Sequence, residues 1–148
     1  MPRPRVDFYI TDDASGRERL RLACRLAEKA YQAGQAVVVL CADAEQQRAL
    51  DELMWTFRDG SFLPHECADS VAPVEPRCVR LQLDADNAGE IVISLSETFV
   101  AAADSCERVI DIIDGDADRR ARGRERFRSY RELGLEPATQ QLRGRSAH

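Results

Sequence analysis

Apolar positions along this chain recur in two rhythms, and the changes between them predict the order of its elements. Residues 6–11 (Val-Asp-Phe-Tyr-Ile-Thr) read as a first strand. Leu20, Ala23, Cys24, Ala27, Ala30 and Tyr31 then repeat with the 3.6-residue period of an amphipathic helix. Ser15-Gly16-Arg17-Glu18 fits a capping box, with Ser15 as N-cap and Glu18 reaching back, and Gly34 is placed to end the helix. Residues 36–42 (Ala-Val-Val-Val-Leu-Cys-Ala) do not alternate, as expected of a strand buried on both faces of a parallel sheet. Asp43 caps a second helix that turns Leu50, Leu53 and Met54 inward.

The second half is less regular. Residues 66–78 read as a loop rich in Pro, Ala and Ser. Residues 79–83 alternate like a half-exposed strand, and residues 91–95 look buried. The link between them is too short for a parallel crossover, which takes about a dozen residues, so the two strands form a hairpin or are not neighbours. A short helix near 97–103 precedes a last strand at 108–113. Asp114-Gly115-Asp116 turns the chain into an arginine-rich helix at about 116–133, which Gly134 and Pro137 end. Residues 136–148 are polar and expected to be a disordered tail. The alternation of strand and helix predicts one α/β domain over residues 1–135. Its expected form is a three-layer α/β/α sandwich around a mostly parallel sheet of 4–5 strands, Rossmann-like without a phosphate loop.

Composition narrows the class. No apolar run approaches the roughly 18 residues that cross a bilayer, and no apolar segment follows the basic start, so the expected location is the cytoplasm, with no membrane partner. The five cysteines (24, 41, 67, 78, 106) are odd in number, scattered and free of any Cys-x-x-Cys, which suits reduced thiols acting as small apolar residues. Charge is unevenly spread. Residues 119–131 hold seven arginines and one acid, a charge of +6, so the rest of a chain of net charge −5 carries −11. Such an acidic body disfavours strong direct binding of nucleic acid; a basic patch on it suits an acidic peptide.

Several chemistries lack their residues. The glycines form neither Gly-x-Gly-x-x-Gly nor a Walker loop, and the first strand leads into Thr11-Asp12-Asp13, whose carboxylates would repel a phosphate. No nucleotide or other cofactor is therefore expected. His65 is the one histidine outside the tail and has no hydrolase signature around it; His65-x-Cys67 has no second pair of zinc ligands. Asp114, Asp116, Asp118 and Glu125 mimic a calcium loop, but Arg119 stands where that loop needs glycine. No catalytic residue is assigned.

Two constellations remain. Arg120, Arg124, Arg128 and Arg131 fall on one helix face with Phe127 and Tyr130 beside it. Guanidinium groups with an apolar neighbour could hold an acidic peptide, or the arginines are a solvated surface and both rings pack inward. Trp55, Phe57 and Phe62 cluster where the second helix ends, either as an interface anchor or as a satellite core at the sheet edge.

Val6-Asp7-Phe8-Tyr9-Ile10, the helix with Cys24-Arg25-Leu26-Ala27-Glu28-Lys29-Ala30, and Gly34-Gln35 before the Val-rich strand resemble the chi subunit of bacterial DNA polymerase III. So do Leu50-Asp51-Glu52-Leu53-Met54-Trp55 followed by Ser61-Phe62-Leu63-Pro64-His65, then Ile93-Ser94-Leu95, and the closing Arg124-Glu125-Arg126-Phe127-Arg128-Ser129-Tyr130-Arg131. Each motif alone is weak; the ordered set across residues 6–135 is specific. The resemblance implies an α/β/α accessory subunit without catalytic activity. It implies two partners: the psi subunit, tying chi to the clamp loader, and the acidic, Phe-ending C-terminal tail of single-stranded DNA-binding protein. By the same resemblance the tail-binding residues are Ile113, Arg120, Arg124, Phe127 and Arg128, with Phe127 keeping the ring of the family's usual Tyr and losing its hydroxyl. The psi-binding aromatics are Trp55 and Phe62, a surface for which a helicase is a candidate competitor. The alternatives are a nucleotide-dependent enzyme on a Rossmann-like sheet and a direct DNA binder acting through the arginine-rich helix.

Overall fold

The computed structural model describes residues 4–57, 63–67, 78–84, 90–98, 100 and 106–142. Seven strands and three helices follow in the order β1 (Arg5–Ile10), α1 (Arg17–Gln32), β2 (Val37–Leu40), α2 (Ala44–Thr56), β3 (His65–Cys67), β4 (Val79–Gln82), β5 (Ile91–Ser94), β6 (Arg108–Ile113), α3 (Ala117–Glu132) and β7 (Ala138–Gln141). The strands form one sheet in the order β3-β4-β2-β5-β6-β1-β7. Every neighbouring pair is parallel.

Strand alternation splits the core in two. Val37, Val39, Ile91, Ile93, Ile110 and Ile112 meet Ala23, Cys24 and Ala27 of α1 and Leu50 and Met54 of α2. Val6, Phe8, Leu40, Val92 and Val109 point to the other face, where they meet Tyr130 of α3. This is the expected three-layer α/β/α sandwich. The central strands β2 and β5 are buried at every position, as their unbroken apolar runs required.

The sheet is wider than the expected 4–5 strands. β3 falls in the stretch expected to be loop, and β7 falls in the tail expected to be disordered. Both are edge strands of three or four mostly polar, exposed residues, so burial leaves no period in their sequence. The strands β4 and β5 are not neighbours: each pairs with β2, on opposite sides of it. The short link between them suffices because four-residue strands are only about 13 Å long. The helix expected near 97–103 lies largely outside the described residues; Glu97 and Thr98 themselves are bends.

Helix ends follow their residues. The Asp43 side chain accepts from the Gln46 amide, and that of Asp116 from the Arg119 amide. Gly34 and Gly134 follow α1 and α3 with φ of 81° and 87°. The capping box of α1 does not form. Gly16 takes the N-cap in the left-handed region. Asp13 accepts from the Ser15 hydroxyl at 2.6 Å and the Glu18 amide at 3.3 Å, so the carboxylate does what Ser15 was expected to do.

α3 docks by charge. It offers the core Tyr130 and part of Phe127, and its Arg126 is buried as well. Arg126 meets the fully buried Asp111 of β6 through two parallel bonds, Nε to Oδ2 at 2.7 Å and Nη2 to Oδ1 at 2.9 Å. Its Nη1 donates to the Glu97 carbonyl at 3.1 Å. Burial pushes the Asp111 carboxyl up, and the Arg126 bonds oppose that shift. Removing one member leaves the other charge buried and unmatched. We therefore expect Arg126→Ala to lose about 3–5 kcal/mol of stability, measured as a lowered midpoint in urea denaturation.

Candidate functional site

In open α/β sheets ligands sit beyond the carboxyl ends of the strands, where neighbouring connections leave in opposite directions. Here that point lies between β1 and β6, which feed α1 and α3 on opposite faces. The chain fills it with its own groups. The Thr11 amide donates to the Ile113 carbonyl and the Gly115 amide to the Asp13 carbonyl, both at 2.9 Å. Arg119 pairs with the buried Asp114 through Nε and Nη2 at 2.9 and 2.8 Å. Arg19, buried in α1, donates to the carbonyls of Ile112 and Leu95 at the strand ends, and its burial lowers its basicity. The Ser15 hydroxyl holds the Asp13 carboxyl below its usual range, so the entrance of α1 carries a firm negative charge where a phosphate would have to lie. Asp114 is matched by Arg119 and Asp116 caps α3, so two of the three aspartates of the calcium-loop pattern are engaged elsewhere.

The seven arginines of α3 separate by partner. Arg126 and Arg119 are matched as described, and Arg122 pairs with Glu97. Arg120 is held by the backbone, its Nε donating to the Asp114 carbonyl at 3.0 Å, with Asp12 at the edge of reach at 4.0 Å. Among the described residues, Arg124, Arg128 and Arg131 are exposed and have no carboxylate partner. Of the predicted face of 120, 124, 128 and 131, the fold therefore engages Arg120 and leaves the other three without a carboxylate partner among the described residues.

Beside this face lies a groove of about 200 Å³. Arg120, Gly123, Arg124 and Phe127 of α3 form one side, Phe8, Ile10 and Ile113 the floor, and Thr139 and Gln141 of β7 the other side. Four of the five residues proposed for the tail site (Ile113, Arg120, Arg124 and Phe127) line it; Arg128 stands one turn further along α3 and does not. The two rings part company. Phe127 is half-buried at the groove and packs on Phe8 at 5.2 Å between centroids. Tyr130 is wholly buried, edge-on to Phe8, and its hydroxyl accepts from the Val100 amide at 3.0 Å.

Phe8, Ile10, Gly123, Thr139 and Gln141 line the groove without having been expected there from the sequence. A Cβ on Gly123 would overlap Ile113 Cδ1 and lie 3.0 Å from its Cγ1. The missing side chain is what lets Ile113 tuck under α3. A glycine inside a helical pattern was the available signal.

The second expected constellation sits at the far edge of the sheet. Trp55 of α2 is 55% exposed and tilts over the His65 ring at 4.7 Å. His65 lies against the Leu63 carbonyl through Nδ1 at 2.7 Å and against the Asp51 carboxylate through Nε2 at 3.1 Å. Phe62, its proposed companion, falls outside the described residues. Cys24, Cys41 and Cys106 are buried, and burial pushes the thiols of Cys24 and Cys41 up to about 12, so both are protonated packing groups.

A parallel α/β sandwich with a self-filled crevice and a cationic groove on its flank defines a Rossmann-like protein. Residues 3–138 match the family of the DNA polymerase III chi subunit, HolC, and the chain belongs to that family. It is 36% identical to DNA polymerase III subunit chi of Pseudomonas aeruginosa over 88% of this chain and 91% of that one. It is 30% identical to the Escherichia coli subunit chi over 86% and 91%, and 24% identical to that of Haemophilus influenzae over 93% and 96%.

Gly123→Ala forces Ile113 to move while adding a better helix former. Overpacking costs about 1–3 kcal/mol and the propensity gain is about 1 kcal/mol, so the expected net is a modest loss of stability. The accompanying sign is a shift of the Ile113 δ1 methyl resonance in a methyl NMR spectrum, as that group is driven toward the groove.

Proposed function

We infer that this chain is an accessory subunit of DNA polymerase III, binding rather than catalysing. In this reading it links single-stranded DNA-binding protein to the clamp loader through the psi subunit. The observation that carries the reading is the sorting of α3: three arginines are matched inside the protein, while Arg124 and Arg128 stay unmatched near an apolar-floored groove that Arg120 and Arg124 line. An acidic peptide ending in Phe complements each part. Its carboxylates pair with Arg120, Arg124 and Arg128, and its ring rests against Ile113 and Phe127. Trp55, with Phe62, is the proposed psi contact, and a helicase is a candidate competitor there. β3 and β7 are the two edges of the seven-stranded sheet, about 29 Å apart at six strand spacings. Two partners at opposite edges can bind together, which an adaptor requires.

Arg124→Ala should weaken binding of a labelled acidic, Phe-ending peptide by about 1–3 kcal/mol, the range for charge-assisted hydrogen bonds. Arg122→Ala, which loses only its pair with Glu97, should leave it unchanged. Binding should also fall as salt rises, because the pairs are exposed and screened. Fluorescence anisotropy measures all three; equal affinities for wild type and Arg124→Ala remove the groove from the reading.

Trp55→Ala should abolish co-purification with psi and leave peptide affinity within about 0.5 kcal/mol of wild type, since sites this far apart are expected to act independently. Loss of peptide binding in that variant would contradict two separate docking sites.

A further inference from the structure

The groove has two unlike sides, and only one of them carries charge. We propose that β7 is its second jaw, with Thr139 and Gln141 holding the main chain of the peptide whose carboxylates α3 takes; this rests on the reading of the groove as a peptide site.

Register places these side chains. β7 lies parallel to β1 with Thr139 opposite Phe8 and Gln141 opposite Ile10. Partners in register point to the same face, so Thr139 and Gln141 join Phe8 and Ile10 at the groove. Ala138 and Gln140 stand opposite Asp7 and Tyr9 and point to the other face. The strand is anchored by its ladder to β1 and by the Leu142 amide, which donates to the Ile10 carbonyl at 2.7 Å.

The chemistry of the two side chains selects what they can hold. A hydroxyl and a carboxamide each donate and accept without charge, which suits peptide N–H and C=O groups. Guanidinium groups only donate and prefer carboxylates. Neither Thr139 nor Gln141 has a hydrogen-bond partner among the described residues, and all four residues of β7 are exposed. A bare sheet edge without charge is a liability that proteins normally blunt. Ala138–Gln141 carries no charge and no proline, an arrangement that suits an edge covered by a ligand. The asymmetry also sets direction: acidic side chains and a terminal carboxylate turn toward α3, and the peptide backbone toward β7.

The test uses the full chain and a labelled oligo-aspartate peptide ending in phenylalanine with a free carboxylate. Thr139→Val with Gln141→Ala should weaken binding about tenfold, the loss of two ordinary hydrogen bonds. Gln140→Ala, on the opposite face, should bind as wild type. A peptide N-methylated next to its last residue should bind the wild type more weakly than the parent peptide does, and the double variant no more weakly than the parent peptide does. Urea denaturation confirms that each variant is folded. If the double variant binds as wild type while Arg124→Ala still weakens binding, β7 is not a jaw and the peptide site stands. If Gln140→Ala loses as much as the double variant, β7 matters as a strand rather than through these side chains, and the proposal falls. If Arg124→Ala also binds as wild type, the peptide site itself falls.

Discussion

The buried pair of Arg126 and Asp111 is the constraint on which the rest of the surface depends. α3 has few apolar residues with which to choose a face, and its arginines run almost all the way round. A helix of 3.6 residues per turn advances about 100° per residue. Once Arg126 is turned onto Asp111, Tyr130, Gly123 and Arg119 come round to the same inward stripe, where Tyr130 and Gly123 are buried and Arg119 reaches Asp114. Phe127 and Arg120 then flank that stripe, and Arg124 and Arg128 lie further out. A buried ion pair adds little net stability over an apolar substitute. Its effect here is selection: one rotation of the helix satisfies it, and that rotation opens the groove between α3 and β7.

The same economy of charge explains why the crevice of this Rossmann-like sheet is not where its proposed ligand goes. Arg19, Arg119 and the β1–α1 and β6–α3 connections meet there, with their hydrogen bonds directed at one another. The groove lies to the side of that crevice, between α3 and the outer edge of the sheet. β7 makes that possible by extending the floor one strand beyond β1 and giving the groove a second side.

Much of this was legible in the residues, and the reason is burial. β2, β5 and β6 announce themselves because water is excluded from nearly every position, and α1 and α2 because one face of each is. β3 (His-Glu-Cys) and β7 (Ala-Thr-Gln-Gln) are held by backbone ladders at the sheet edges, a force that leaves no mark on side-chain polarity. The cationic face of α3 could be read from spacing. Its division into matched and unmatched arginines could not, because Asp111, Asp114 and Glu97 reach it from other segments, two of them fixed only by the fold. Thr139 and Gln141 were illegible for the same reason: their role comes from register against Phe8 and Ile10.

The sorting of the arginines also bears on what kind of anion suits this surface. Counted along the chain, residues 119–131 carry +6. Counted in space, three of those arginines are neutralised by Asp114, Glu97 and Asp111, and Arg120 stands at the edge of Asp12's reach. What faces solvent is a short row of guanidinium groups on a body that is otherwise acidic. A nucleic acid offers a long, even repeat of phosphates and gains by neutralising many of them at once. A short row can match few phosphates, and the acidic surroundings oppose the rest. A peptide end has its few charges close together and can bury a ring beside them, where apolar contact and charge act on one ligand. The apolar floor of Phe8, Ile10 and Ile113 has no use for a phosphate backbone, and it is the feature that favours a peptide over a polynucleotide.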